Sequence, residues 1–367
     1  MNGRAVVLKQ PQVPMTIEEF PVPDPEPGAI VVRITQAGVC GSDLHTWRGV
    51  TALQSMPPQG RVMGHEGNGV VYKLGTGVSA DSLGRALREG DRIVHSAVMA
   101  CHRCGYCLRG EYSWCPTYPS NREAGVFPYF VGTFADYYYL PPNQPVFKVP
   151  DTLPDSVLSF VNCAMGTVTD GLIRAEAGPG KTVVLQGAGG LGLLATAIAR
   201  EMGVDQVIIA DRLPKRLELA RALGATQTIN IDELPTPEAR LDAVRQYTAG
   251  QGADIVMELV GNPRLMEEGI NFLANGGTFV QIGAVPAGQT ASISPSALLK
   301  GKRIMGSLMY RPRVIPLLLD FLERTHGRVP FDKLVSRSYP LDHVNQAFHD
   351  VEWHDHATDI TRAVLVP

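Results

Sequence analysis

Hydrophobic positions in the first part of the chain fall into short runs, AVVL, AIVVRITQAGV, GNGVVYKLG, DRIVHSAV and TFADYYYL, each bounded by Gly, Pro, Asp or Asn. Apolar stretches of that length, alternating or continuous and closed by turn formers, predict β-strands. Between them, PVPDPEPG is a connector whose prolines remove the donors that a regular element needs. Residues 1–155 therefore read as a compact, mostly antiparallel β-domain.

The period changes near residue 154. DSVLSFVNCAMGTVTDGLIRA has helical spacing, with Asp155 or Ser156 as its expected N-cap. Regular alternation follows: strand TVVLQG, helix LGLLATAIAREMG, strand QVIIAD, helix PKRLELARALG, strand DIVMELVG, helix PRLMEEGINFLANG, strand GTFVQIG. Strands separated by helices of this length need crossover connections, which predict a doubly wound parallel sheet over residues 156–305. A strand, two helices and a closing TRAVLVP strand make up residues 306–367. The longest apolar run, Val183 to Ala199, is broken by Gln186 and several glycines, so it reads as strand, turn and helix rather than a membrane span.

Composition excludes some function classes. The 367 residues are 44% hydrophobic and 19% charged with a net charge of −3, so no polyanion-binding surface is advertised. Neither nucleic acid nor membrane is an expected partner. No N-terminal stretch has the order of a signal peptide, and a cytoplasmic location is expected. Six cysteines in such a chain point to metal ligands or nucleophiles rather than to disulfides.

Candidate chemistry enters at VVLQGAGGLG, where Gly187, Gly189 and Gly192 have G-x-G-x-x-G spacing between a predicted strand and a predicted helix. The first glycine permits the turn, the second lets backbone approach a pyrophosphate, and the third lets helix pack on sheet. Gly190 and Leu191 complete the helix start, whose free N–H groups suit phosphate. Asp211, 19 residues beyond Gly192 at the end of the next strand, would accept from ribose hydroxyls and repel a 2′-phosphate. NAD is therefore favoured over NADP, although Arg212, Lys215 and Arg216 follow closely and soften that repulsion.

CHRCGYCLRGEYSWC places Cys101, Cys104, Cys107 and Cys115 at C-x2-C-x2-C-x7-C in a lobe of about residues 98–118. Four thiolates can close a tetrahedron around a structural zinc, with an iron–sulfur cluster as the rival. Cys40 and Cys163 remain, with His65 in GHEGNGVV as a third candidate ligand beside Glu66. Two sulfurs and one nitrogen leave a fourth position open, as a catalytic zinc requires.

Over essentially its whole length the chain resembles the zinc-dependent medium-chain alcohol dehydrogenases, through GHEGNGVV, the cysteine lobe and QGAGGLG. The resemblance implies a Rossmann NAD-binding domain (156–305) and a GroES-like catalytic domain (1–155) completed by 306–367. It implies two zinc ions per chain: a catalytic one held by Cys40, His65 and Cys163, and a structural one held by the four-cysteine lobe. Glu66 is then an acid beside the catalytic zinc that can reach the metal, and Asp43 orients His65 through its other ring nitrogen. Thr167 and Leu191 pack the nicotinamide, Arg216 contacts the adenosine ribose, and Arg362 contacts the pyrophosphate. Ser42 and His45 form a proton relay from the substrate oxygen through the cofactor ribose to solvent. The implied reaction passes a hydride between a small-molecule alcohol, secondary or medium-sized, and NAD, giving a ketone or aldehyde, in a homodimer or homotetramer.

There are departures from the family pattern. Many polyol dehydrogenases of the superfamily have Glu where Cys163 stands, which weakens a sorbitol-type or threonine-type reading. Gly41 stands where some members place an arginine for the pyrophosphate, so cofactor binding would lean more on backbone donors and Arg362. The rival readings are a polyol or amino-alcohol dehydrogenase, a catalytically inactive zinc-binding relative, and a zinc-free quinone or enoyl reductase. Trp47 is a candidate pocket wall or equally a core or surface residue, and Tyr118 and the GVFPYFVG loop are candidates to add aromatic surface to a substrate pocket.

Overall fold

The computed structural model describes residues 1–50, 56–116, 122–286, 288–352, 358 and 360–367. The chain divides into two units: Met1–Gly166 with Met309–His326 and Val335–Pro367, and Thr167–Leu308 with Gly327–Leu334. The first boundary falls later than the expected 155/156. Its cause is local, because the helical stretch from Asp155 to Arg174 is interrupted by a wide turn at Val161–Met165, and everything up to Gly166 belongs to the first unit. Nor does 306–367 pass whole to the β-rich unit, since Gly327–Leu334 groups with the second. The expected N-cap is also displaced. Pro154 occupies that position, and Asp155 instead accepts a hydrogen bond from Arg92 Nη2 at 2.6 Å.

In the first unit, one sheet runs in the order Val335–Pro340, Arg362–Val366, Ile30–Val39, Asn68–Leu74, Arg92–His95, Val146–Lys148, with Tyr137–Leu140 also on Ile30–Val39. Its pairings are antiparallel except that of Val335–Pro340 with Arg362–Val366. A second sheet holds Thr16–Pro21, Asn2–Leu8 and Arg61–Val62. The two-residue period of strands sorts side chains between two cores. Val6 and Leu8 join Ile30, Val32 and Tyr138 in one; Ala5 and Val7 join Val31, Tyr137 and Tyr139 in the other.

The second unit is a six-stranded parallel sheet in the order Gln227–Asn230, Gln206–Asp211, Thr182–Gln186, Ala253–Glu258, Leu273–Gln281, Arg303–Gly306. Counted from Thr182–Gln186, that order is 3-2-1-4-5-6, the dinucleotide-binding arrangement. Its central strands are near-continuous apolar runs (Val183, Val184 and Leu185; Val256 and Met257), as sheets covered on both faces require. Two elements not singled out from the sequence complete it, the strand Gln227–Asn230 and the helix Pro237–Tyr247. That helix starts on a proline, and its Thr236 cap accepts from Ala239 N at 3.2 Å. The helix expected through NFLANG ends earlier, at Phe272, because Leu273 turns extended and opens the next strand.

Candidate metal centre

GVCGSDLH straddles a strand end and a helix start. The strand Ile30–Val39 stops one residue before Cys40, and Gly41–Arg48 is helical. Asp43, in the first helical turn, bends back so that its Oδ2 accepts the Cys40 N–H at 3.0 Å. Its other oxygen lies 3.1 Å from His65 Nδ1. One buried carboxylate therefore fixes both the backbone of one candidate ligand and the ring of another. Cys163 sits in the wide turn, where Met165 N–H reaches Phe160 O at 3.0 Å instead of making a normal helical bond. Such π-turns are frequent at functional sites, because they re-aim a side chain out of helical register.

The ligand atoms of Cys40, His65, Glu66 and Cys163 all lie within 4.8 Å of one another, and His65 Nε2 is 3.3 Å from Cys163 Sγ. The hydrogen bond from Cys163, opposed by burial, holds the Cys40 thiol well below its usual range, while the same pairing and burial push Cys163 well above it. Burial opposes protonation of His65, yet the Asp43 charge and hydrogen bond and the Cys40 thiolate outweigh it and raise its pKa. Burial lifts Glu66 to about 7, against the pull of Arg362. A divalent ion relieves this crowding. Zinc bonds of about 2.0–2.3 Å would keep tetrahedral donors about 3.5 Å apart, close to the spacing present. Glu66 is fully buried, with one oxygen on Arg362 Nη2 and Oε1 without a hydrogen-bond partner among the described residues. The donor set thus fits a zinc with one open position and a carboxylate in reserve.

Ser42 Oγ stands 3.3 Å from His65 Nε2. His45 follows one helical turn later, so the two share a helix face. Ser42 is exposed and His45 half-buried.

The four-cysteine lobe closes on itself in the same way. Cys104 Sγ is 3.5 Å from Cys107 Sγ, Cys101 Sγ is 3.9 Å from Cys107 Sγ, and Cys115 Sγ accepts Cys101 N–H at 3.4 Å. Burial and the neighbouring thiols push Cys107 up to about 12, a penalty that a shared cation would remove. All four sulfurs fall within 4.8 Å of one another, and four thiolates complete a tetrahedron, which fits a closed structural zinc.

In the second unit, Gly187 adopts φ +101° at the turn after Thr182–Gln186, and a Cβ on Gly192 would lie 1.9 Å from Gly187 O. Gly189, by contrast, faces open space, with nothing within 4 Å of the position a Cβ would take. That open cradle at the start of the helix Gly190–Glu201 fits a pyrophosphate. Leu191 is half-buried in the first turn, and Thr167 is buried at the start of this unit. Asp211 has backbone partners on both carboxylate oxygens: Oδ2 accepts Ala188 N–H at 2.7 Å and Oδ1 accepts Leu213 N–H at 3.0 Å, tying the glycine turn to the next loop. Arg216 is half-buried in the first turn of Pro214–Ala222.

The remaining candidate residues have the following surroundings. The Arg362 guanidinium, assigned by resemblance to the pyrophosphate, is buried in the first unit on Glu66 and 5.4 Å from the Phe160 ring centroid. Trp47 belongs to the core rather than to a pocket wall, because its ring packs 6.4 Å from Phe348 and its indole N–H donates to Val13 O. Phe130 and Tyr129 of the GVFPYFVG loop likewise pack into the second core. Tyr118 lies outside the described residues. What the sequence did not reveal is the buried Asn162 and His95 beside the ligands, which carry no motif.

Comparison with known proteins agrees with this geometry. The family model described as alcohol dehydrogenase GroES-like domain matches residues 26–151, and that described as zinc-binding dehydrogenase matches residues 190–324. A 5-exo-hydroxycamphor dehydrogenase of Pseudomonas putida is 34% identical over 352 residues, 95% of each chain. A D-xylulose reductase A of Aspergillus oryzae is 30% identical over 91% of this chain and 90% of its own. The crystal structure of an alcohol dehydrogenase from Thermotoga maritima superposes with a TM-score of 0.91 at 30% identity, covering 100% of both chains.

Proposed function

Because the chain belongs to the zinc-dependent medium-chain alcohol dehydrogenases, we propose that it oxidises a medium-sized or cyclic secondary alcohol to a ketone, with NAD as the acceptor and two zinc ions per chain. The carrying observation is the convergence of Cys40, His65 and Cys163 with an open side at the exposed Ser42. Zinc held there supplies Lewis acidity toward the alcohol oxygen, and a nicotinamide accepts the hydride. The chain's own residues handle the proton. Ser42 Oγ takes it from the substrate hydroxyl as it gives up its own hydroxyl proton toward the exit at His45, one turn along the same helix, which releases a proton to solvent. Asp43 keeps the His65 ring from turning, while Arg362 pairs with the buried Glu66 beside the ligands.

The hydroxycamphor dehydrogenase relative supports a cyclic secondary alcohol; the xylulose reductase relative keeps a polyol as the second reading. Asp211 at the end of the second sheet strand supports NAD. The edge strand Arg303–Gly306, with exposed Ile304 and the nearby exposed Leu299, supports pairing with a second copy in a homodimer or homotetramer. Six free thiols gathered at metal-type sites support a reducing, cytoplasmic compartment. A panel of cyclic, aromatic and polyhydroxylated alcohols, followed by NADH formation, tests the reading. Highest kcat/KM on a cyclic secondary alcohol supports it, and a preference for polyols favours the alternative.

A further inference from the structure

Three candidate ligands come from three separate segments, and their mutual spacing must be set by something other than the chain between them. Asp43 links two of them, Cys40 and His65. The third, Cys163, is linked by its neighbour. Asn162 is fully buried, and its side-chain amide reaches across to the segment that carries His65. Nδ2 donates to His65 O at 3.2 Å, and Oδ1 accepts Gly67 N–H at 3.2 Å, so the amide brackets His65 and Glu66 from both sides. Those two contacts fix which end of the amide is nitrogen.

The second hydrogen of Nδ2 points at His95 Nε2, 3.2 Å away. Because an amide N–H only donates, that ring nitrogen must accept, and His95 is neutral in the fold. The ring is itself stacked on Tyr138 with centroids 4.5 Å apart. On the backbone side, Tyr310 donates to Asn162 O and accepts Ala97 N–H at 2.9 Å. Asn162 is thus held at Nδ2, Oδ1 and its backbone O, directly before a candidate ligand and across from another.

We propose that Asn162 is a positioning residue, whose amide sets the separation of Cys163 from His65 and thereby the retention of the catalytic zinc. The inference rests on the reading of Cys40, His65 and Cys163 as zinc ligands. Losing the amide frees the Cys163 turn from the His65–Gly67 segment and leaves a buried carbonyl and a buried N–H unpaired. A damaged ligand frame should release metal faster, as loss of ligand-supporting hydrogen bonds commonly does by about 10- to 100-fold.

The test uses the zinc-loaded enzyme. Release of zinc to a coloured chelator is followed for the parent, Asn162→Ala, Asn162→Asp and His95→Gln, and cobalt-substituted forms of each give visible spectra. Asn162→Asp keeps the shape but sets an acceptor against His65 O, so it decides the matter should the alanine variant fail to fold. Both Asn162 variants should release one zinc per chain about 10- to 100-fold faster and shift the cobalt bands. His95→Gln keeps both bonds to the 65–67 segment, so it should release zinc at the parental rate even if it melts earlier. Parental release with unshifted bands in the Asn162 variants overturns the inference alone, as does equal acceleration by His95→Gln, which would mean general softening. A parent that holds no zinc at Cys40, His65 and Cys163 overturns the underlying reading as well.

Discussion

Asp43 Oδ1 lies 3.1 Å from His65 Nδ1 while its Oδ2 accepts the Cys40 N–H at 3.0 Å. The carboxylate therefore dictates the tautomer of His65, leaving Nε2 as the ligand nitrogen, and ties the ring to the segment carrying a second ligand. Asp43→Asn keeps the size but removes the charge that makes the imidazole a better donor. Zinc affinity at this site should fall about 10- to 100-fold, measured by competition with a chelator. Unchanged affinity would mean that the contact is incidental.

Ser42→Ala should lower kcat by about 10²- to 10⁴-fold while zinc content stays parental, since positioned proton transfer is typically worth that much. The hydroxyl is exposed and 3.3 Å from His65 Nε2, so its loss should cost little stability. Pre-steady-state NADH formation with deuterated alcohol checks the claim. Near-parental kcat with hydride transfer rate-limiting would leave Ser42 with no part in the chemistry.

Asp211→Gly should act on two measurements at once. Removing the like-charge contact with a 2′-phosphate should raise the NADP-to-NAD ratio of kcat/KM by about tenfold or more. Removing the acceptor of Ala188 and Leu213 N–H should also destabilise the second unit, by about 1–3 kcal/mol, because both bonds go to a charged group. Equal use of both cofactors by the parent would overturn the first expectation. An unchanged Tm would overturn the second.

His95 contributes a distinct part of the pH dependence of stability. Burial lowers its pKa to about 3 in the fold, against about 6.5 in the unfolded chain. Between those values the unfolded chain binds a proton that the fold refuses, so the contribution of His95 to stability falls as pH drops below about 6.5, by about 1.4 kcal/mol per pH unit, and flattens near the lower value, while Glu66, raised to about 7, contributes in the opposite sense over part of that range. His95→Gln removes that titration. Denaturant unfolding between pH 6.5 and 5 should therefore show the parent losing stability relative to the variant as pH falls, and a difference that does not change with pH would contradict the assignment.

How much of this was legible in the sequence depends on how local the signal is. The glycine turn and the cysteine lobe are set by contiguous residues, so Gly187, Gly192 and Cys101 to Cys115 could be placed by spacing alone. Asp43 could be placed because its helix start and the His65 segment each carry a motif. The pairing of Arg362 with Glu66 was not legible, because the two are 296 positions apart and nothing in either segment marks it. Asn162 and His95 were silent for the same reason, since a buried amide reads like any other polar residue until the strands bring it to the 65–67 segment. Trp47 stayed open in the sequence because an aromatic residue beside candidate ligands looks the same whether it walls a pocket or fills a core. The domain boundary moved because a wide helical turn leaves no composition signal.

The central claim is that Cys40, His65 and Cys163 hold one of two zinc ions, and that this ion is the one required for turnover. Elemental analysis of zinc per chain, on the parent and on folded Cys163→Ala, tests it most directly. The account predicts two zinc ions in the parent and one in the variant, with alcohol-dependent NADH formation lost and the cooperative thermal transition retained. Two zinc ions in the variant, or fewer than two in the carefully purified parent, would contradict it.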